Sequence, residues 1–202
     1  MEKDPSKRLN WDQYFNHQIF GTKYRYKINL IYECEEDGYE RNIFGEEFVE
    51  KNKNNIELVI NGIKSEIVKE YKLKKGENNI EIIINKINNL EHMFDNCNTL
   101  KNIEELMYLD TNNINNFSYM FSGCSSLSDL KPLQNWNVSN GKNFSAMFDQ
   151  CSLLSDLKSL ENWNVSNGNN FLGMFFGCLL LSDLKPLQNC NVSNGKNFID
   201  VS

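Results

Sequence analysis

The residues best equipped for chemistry are six cysteines and two histidines. Thiolates beside histidine can hold zinc or act as nucleophiles, and paired thiols can form disulfides. Spacing decides against all three. Cys97, Cys124, Cys151 and Cys178 follow one another at intervals of 27 residues, and Met93, Met120, Met147 and Met174 keep the same interval. A thiol recurring at a whole repeat is a core position, and Cys is among the most often buried residues. These eight residues are therefore the expected structural core of a repeat, with the thiols reduced. Cys34 and Cys190 lie in unrelated contexts, and no Cys-x-x-Cys or Cys/His pair with zinc spacing occurs. His92 stands where the other copies carry Tyr119, Ala146 and Gly173, so it reads as an exposed, permissive position. No Ser-His-Asp order, glycine-rich phosphate loop or paired-carboxylate cleft can be argued. The expectation is a non-enzyme without metal or cofactor.

Polar residues recur with the same period. Asp129, Asp156 and Asp183 form one expected column and Lys131, Lys158 and Lys185 the next, together a candidate binding strip. The lysines would offset repulsion along the aspartates, at about 0–1 kcal/mol per exposed pair. Five Asn-x-Ser sequons begin at Asn116, Asn137, Asn143, Asn164 and Asn191. All five arise from two repeat positions, Asn137/Asn164/Asn191 and Asn116/Asn143, so stacking alone generates them, and the amides can satisfy turn backbone.

The whole chain sets the bounds. It has 202 residues, a formal net charge of −6 and 40% hydrophobic residues, enough for a core. The acidic balance argues against a nucleic-acid partner, which needs clustered Lys and Arg. Met1 to Asn10 has no apolar signal region, and the apolar window Met174–Leu181 is much shorter than the ~20 residues of a membrane span. A soluble, cytosolic protein without membrane insertion is expected from these features.

Three regions follow in order. Residues 1–20 are a polar leader ending in a short amphipathic helix of Trp11, Tyr14, Phe15 and Ile19. Residues 21–85 read as a small β-rich unit. Tyr26, Ile28, Leu30 and Tyr32 alternate with polar neighbours, Asn61-Gly62 is a two-residue hairpin signal between Ile56–Ile60 and Ile63–Tyr71, and a further strand covers Ile80–Ile84. A helical turn or two fits Gly45–Glu50. Residues 86–202 hold about four 27-residue repeats, the last incomplete. In the second copy, Phe117, Met120, Phe121 and Cys124 describe one face of a short helix, and Ser128–Lys131 reads as a strand with Leu130 inward.

Met-Phe-x-x-Cys-x-x-Leu-x-x-Leu (from Met120), followed by Trp136-Asn137-Val138-Ser139-Asn140, resembles the BspA-type leucine-rich repeats over residues 86–202. The resemblance implies an α/β leucine-rich-repeat solenoid, one short strand and one short helix per coil, preceded by the β-rich capping unit. It also implies cell-surface adhesion or host contact. The 27-residue unit is longer than usual in that family.

The fourth copy departs from the others. Ser122, Ser125 and Ser126 of the second become Phe176, Leu179 and Leu180, apolar residues at outward positions, and Phe198 begins a coil in which no Met-Phe follows. These four residues mark a candidate association edge. The function expected is non-catalytic protein recognition, with self-association through that edge. An intracellular scaffold, or a truncated paralogue without a selected function, is the alternative.

Overall fold

The computed structural model describes residues 26–85 and 87–183. Strand β1 (Tyr26–Cys34) turns Ile28, Leu30, Tyr32 and Cys34 inward, all buried, as a period-two pattern requires. It continues beyond Tyr32, where the sequence pattern ended. After it come β2 (Glu40–Asn42), helix α1 (Glu46–Asn52), β3 (Ile56–Ile60), β4 (Ile63–Ser65), β5 (Glu70–Lys72) and β6 (Gly76–Ile84). A last strand, β7 (Leu100–Asn102), comes from the first repeat. Five strands form one antiparallel sheet in the order β4-β3-β6-β1-β7, while β2 and β5 pair separately. The β3–β4 turn places Asn61 and Gly62 at φ 47° and 82°, the left-handed pair that a tight hairpin needs. The single strand expected over Ile63–Tyr71 is instead divided between the two sheets. Ile67 is buried between its halves, and the Lys69 carbonyl accepts from the N–H groups of Ile43 and Phe44.

The repeats do not build the α/β leucine-rich-repeat solenoid. Regular structure in this chain is mostly antiparallel β-sheet with little helix, and most of that sheet precedes the repeats. No described repeat joins a parallel strand to an α-helix; between β7 and residue 183 the described residues form turns, short 3₁₀ helices (Glu104–Tyr108, Lys131–Leu133, Lys158–Leu160) and isolated bridges. The reason lies in the backbone. His92 and Asn96, Tyr119 and Gly123, Ala146 and Gln150, Gly173 and Gly177 all have φ between 50° and 71°. A left-handed residue every fourth position stops a helix before it completes a second turn. The Phe117–Cys124 spacing is thus a run of turns that buries the same side chains a helix would. The strand expected over Ser128–Lys131 is a turn as well. The Lys131 N–H donates to Asp129 Oδ1 at 2.8 Å, and a 3₁₀ helix starts there.

Alternate N–H groups in each run donate to carbonyls 26 residues ahead. Leu90, His92, Phe94 and Asn96 reach Asn116, Ser118, Met120 and Ser122 at 2.7–3.1 Å, and the next two junctions repeat the pattern. Phe94, Phe121, Phe148 and Phe175 stack with ring centroids 5.4–5.6 Å apart, and Phe117, Phe144 and Phe171 at 5.2 Å. Phe44, from the segment between β2 and α1, extends the first stack at 6.0 Å. One hydrophobic core therefore runs without a break from Ile28 to Leu181.

Candidate recognition surface

Each sequence-derived residue takes a definite place. Met93, Met120, Met147, Met174 and the four cysteines at 97, 124, 151 and 178 lie in the core, none more than 3% exposed. Each of the last three thiols donates to a phenylalanine carbonyl of the preceding repeat, Cys124 to Phe94, Cys151 to Phe121 and Cys178 to Phe148, at 3.0–3.2 Å. Burial pushes the Cys97, Cys124 and Cys151 thiols well above their ordinary range and Cys178 up to about 11. Unionised, they are poor nucleophiles and poor ligands. Among the described residues no group of three His, Cys, Asp or Glu could hold a metal ion.

The Asp–Lys strip is built differently from the expectation. Asp129 and Asp156 are exposed, but each accepts the backbone N–H two residues on, Lys131 or Lys158, at 2.8 and 2.7 Å. They start the short helices. No ion pair joins either aspartate to a described lysine. Asp183 is exposed at the end of the described segment, and Lys185 lies outside it. The sequon asparagines work in the same way: Asn116, Asn137, Asn143 and Asn164 each accept from the N–H two residues on, at 3.0–3.2 Å. Asn191, Cys190, Phe198, His17 and the Trp11–Ile19 helix fall outside the described residues.

His92 differs most from its sequence reading. It is half-buried, with the side chain 17% exposed, and its ring stacks on Tyr119 at 4.7 Å and 6°. Nδ1 lies 2.8 Å from Asp95 Oδ2, and Nε2 lies 3.7 Å from Glu47 on α1. The Asp95 bond holds the His92 pKa above its usual value, against burial, with smaller help from Glu47 and Glu91. Lys51 of α1 pairs with Glu91 at 2.9 Å. Helix and first repeat are thus joined by two charged contacts around an acidic cleft of about 410 Å³ lined by Glu46, Glu47, Glu50, Asp95, Lys69 and His92.

The turn columns of successive repeats line up in a strip beside this cleft, and their character changes along the stack, although Ser118, Ser122, Ser145 and Ala146 are themselves buried. Glu91, His92, Asp95, Asn98 and Thr99 are matched in the second repeat by Ser118, Tyr119, Ser122, Ser125 and Ser126. The third has Ser145, Ala146, Asp149, Ser152 and Leu153, and the fourth Leu172, Gly173, Phe176, Leu179 and Leu180. Leu172, Phe176, Leu179 and Leu180 are 61%, 43%, 78% and 54% exposed. Tyr119, Asp149, Leu172 and Phe176 border a second groove of about 320 Å³, on the far side of the His92–Tyr119 stack from the cleft. Position 92/119/146/173 had marked this strip in the sequence, but as a site of no preference. Its left-handed backbone favours glycine, yet three of the four copies carry a side chain there, and that variety did not imply exposure.

An antiparallel sheet continued by stacked, turn-built repeats, with one graded surface strip, defines the class of protein. Residues 68–186 match the family model described as "Mycoplasma protein of unknown function, DUF285", and the chain belongs to that family. No curated protein matches the chain. No solved structure matches it either. No helix among the described residues is long and apolar enough to cross a membrane.

Proposed function

We propose that the chain is a non-catalytic protein-recognition module whose contact surface is the graded strip. The observation that carries this reading is the exposure of Leu172, Phe176, Leu179 and Leu180, four large apolar side chains on adjacent turns. The equivalent positions of the second repeat hold serine, so the fold does not require apolar residues there. A contiguous exposed patch of this kind marks a surface that binds another polypeptide. Kinship with the BspA-type proteins is part of the proposal, carried by the Met-Phe-x-x-Cys motif, and cell-surface contact is the setting it implies. Five described, unpaired cysteines favour a second setting, an intracellular assembly module in a reducing compartment.

The test is binding of the full chain to an array of defined 15-residue peptides, beside the triple variant F176S/L179S/L180S. Those serines already occupy the same positions of the second repeat, so folding is retained. Binding that the triple variant loses supports the reading. No binding by the full chain, or equal binding by both, rejects it. Light scattering of the two proteins then shows whether a second copy is the occupant, and surface biotinylation separates the two settings.

A further inference from the structure

Within the strip, the second groove has a chemistry of its own. Its walls include the Tyr119 and Phe176 rings and Leu172, and Ala146 and Gly173 keep it open because neither carries a long side chain. Among these apolar groups stands one carboxylate. Asp149 lines the groove half-buried: its Oδ1 is sealed from solvent, Gln150 hydrogen-bonds to the carboxylate through side chain and backbone, and no ion pair among the described residues offsets its charge. Burial raises its pKa, and the Asp95 charge adds to the shift, although Gln150 works against it. The site therefore carries a carboxylate that no ion pair offsets, in a groove it shares with two aromatic rings, and the Tyr119 face turned away from His92 can attract a cation.

We propose that this groove takes a basic side chain, arginine above lysine, from a partner polypeptide. The methylene stem lies on Leu172 and Phe176 while the guanidinium meets Asp149 beside the Tyr119 ring. A planar guanidinium satisfies both demands, stacking on a ring and pairing with a carboxylate. Charge complementarity extends beyond the anchor. On the other face of the Tyr119–His92 stack lies the cleft with Glu46, Glu47, Glu50 and Asp95, where Lys69 pairs with Glu46, Lys51 with Glu47 and His92 with Asp95, so that the carboxylates still outnumber the cations. A peptide with a second basic residue on that side gains further, and an acidic peptide is repelled. This inference rests on the recognition reading and names the chemistry of the partner.

The experiment uses the ¹⁵N-labelled full chain, titrated with N-acetyl-arginine amide and, separately, with its uncharged isostere N-acetyl-citrulline amide. The arginine compound is expected to shift the amide resonances of Ala146, Asp149 and Gly173, and the citrulline compound to leave them in place. The isosteric Asp149→Asn variant should bind the arginine compound about tenfold more weakly, the loss that one charged hydrogen bond of ordinary strength represents. Phe176→Ser, which restores the residue type of Ser122, should also weaken it and controls for any misfolding of the first variant. Equal shifts from both compounds, no shifts from either, or undiminished binding by D149N overturns the proposal. If D149N keeps the peptide-array binding that F176S/L179S/L180S loses, recognition stands and the basic anchor falls.

Discussion

At the scale of the residue, His92 and Asp149 carry opposite consequences for stability. Protonated His92 is favoured in the folded chain, where Asp95, Glu47 and Glu91 face it. Its contribution is complete below the unfolded value of about 6.5 and disappears as pH rises through the raised folded value. His92→Gln should therefore flatten the decline in melting temperature as pH rises above the ordinary histidine value of about 6.5, read by circular dichroism. Asp149 works the other way at neutral pH. Burial holds its pKa above that of the unfolded chain, so at pH 7 the ionised form carries a cost that is relieved only as pH falls towards the carboxylate range. Asp149→Asn should accordingly melt at or slightly above the wild-type temperature at pH 7. A stable D149N that no longer binds arginine would show a charge kept for contact at the expense of the fold.

Elements explain what could and could not be read in advance. The inward residues were legible because hydrophobic spacing records burial: Met120, Phe121, Cys124, Leu127 and Leu130 are all at most 2% exposed. Their conformation was not legible, since spacings of three and four fit a helix and a run of left-handed turns equally well. The signal was hidden because most of the left-handed positions carry residues other than glycine, His92, Asn96, Tyr119, Ala146 and Gln150 against Gly123, Gly173 and Gly177. Asp129 and Asp156 looked like a surface pattern because a side chain that ends a turn must also face outward. The joint at Phe44-Gly45 was missed altogether, being neither apolar-periodic nor part of a repeat. There the Gly45 N–H donates to the Met93 carbonyl at 3.2 Å, and any Cβ would overlap the His92 carbonyl oxygen. Gly45→Ala should destabilise the chain by about 1–3 kcal/mol, measured by urea unfolding, although alanine suits that backbone conformation. The same substitution at Gly62 meets no atom within 4 Å, and only its positive φ would tell.

At the scale of the molecule, sheet and repeats are one object. β7 of the first repeat completes the edge of β1, Glu105 accepts from the backbone and side chain of Asn29 at 2.7 and 2.8 Å, and Phe44 heads the phenylalanine stack. The expected boundary near residue 85 therefore divides the sequence pattern but not the core. Thermal unfolding of the full chain carrying Trp11→Phe should be a single transition, with tryptophan fluorescence (then reporting Trp136 and Trp163 in the repeats) coinciding with far-ultraviolet circular dichroism, which follows the sheet. Two separated transitions would show that the repeats melt independently.

The regular reach of the amide ladder, always 26 residues forward, makes the chain indifferent to the number of units it contains. Every junction offers the same carbonyls to the same amides, so a recombination that removes one whole unit rejoins matching ends. Excising residues 117–143 brings Asn116 against Phe144 in the sequence relation Asn116 already has with Phe117, and the shortened protein should fold. Excising 118–143, one residue fewer, should not, because the amides of His92, Phe94 and Asn96, which donate across the join, then meet carbonyls one residue out of register, and the side chains beyond the join leave the columns of the first repeat. Solubility and the melting transition of the two deletions distinguish them. A surface graded from charged to apolar could thus be lengthened, shortened or reset in whole steps, so that variation in copy number changes what the strip contacts while leaving the fold intact.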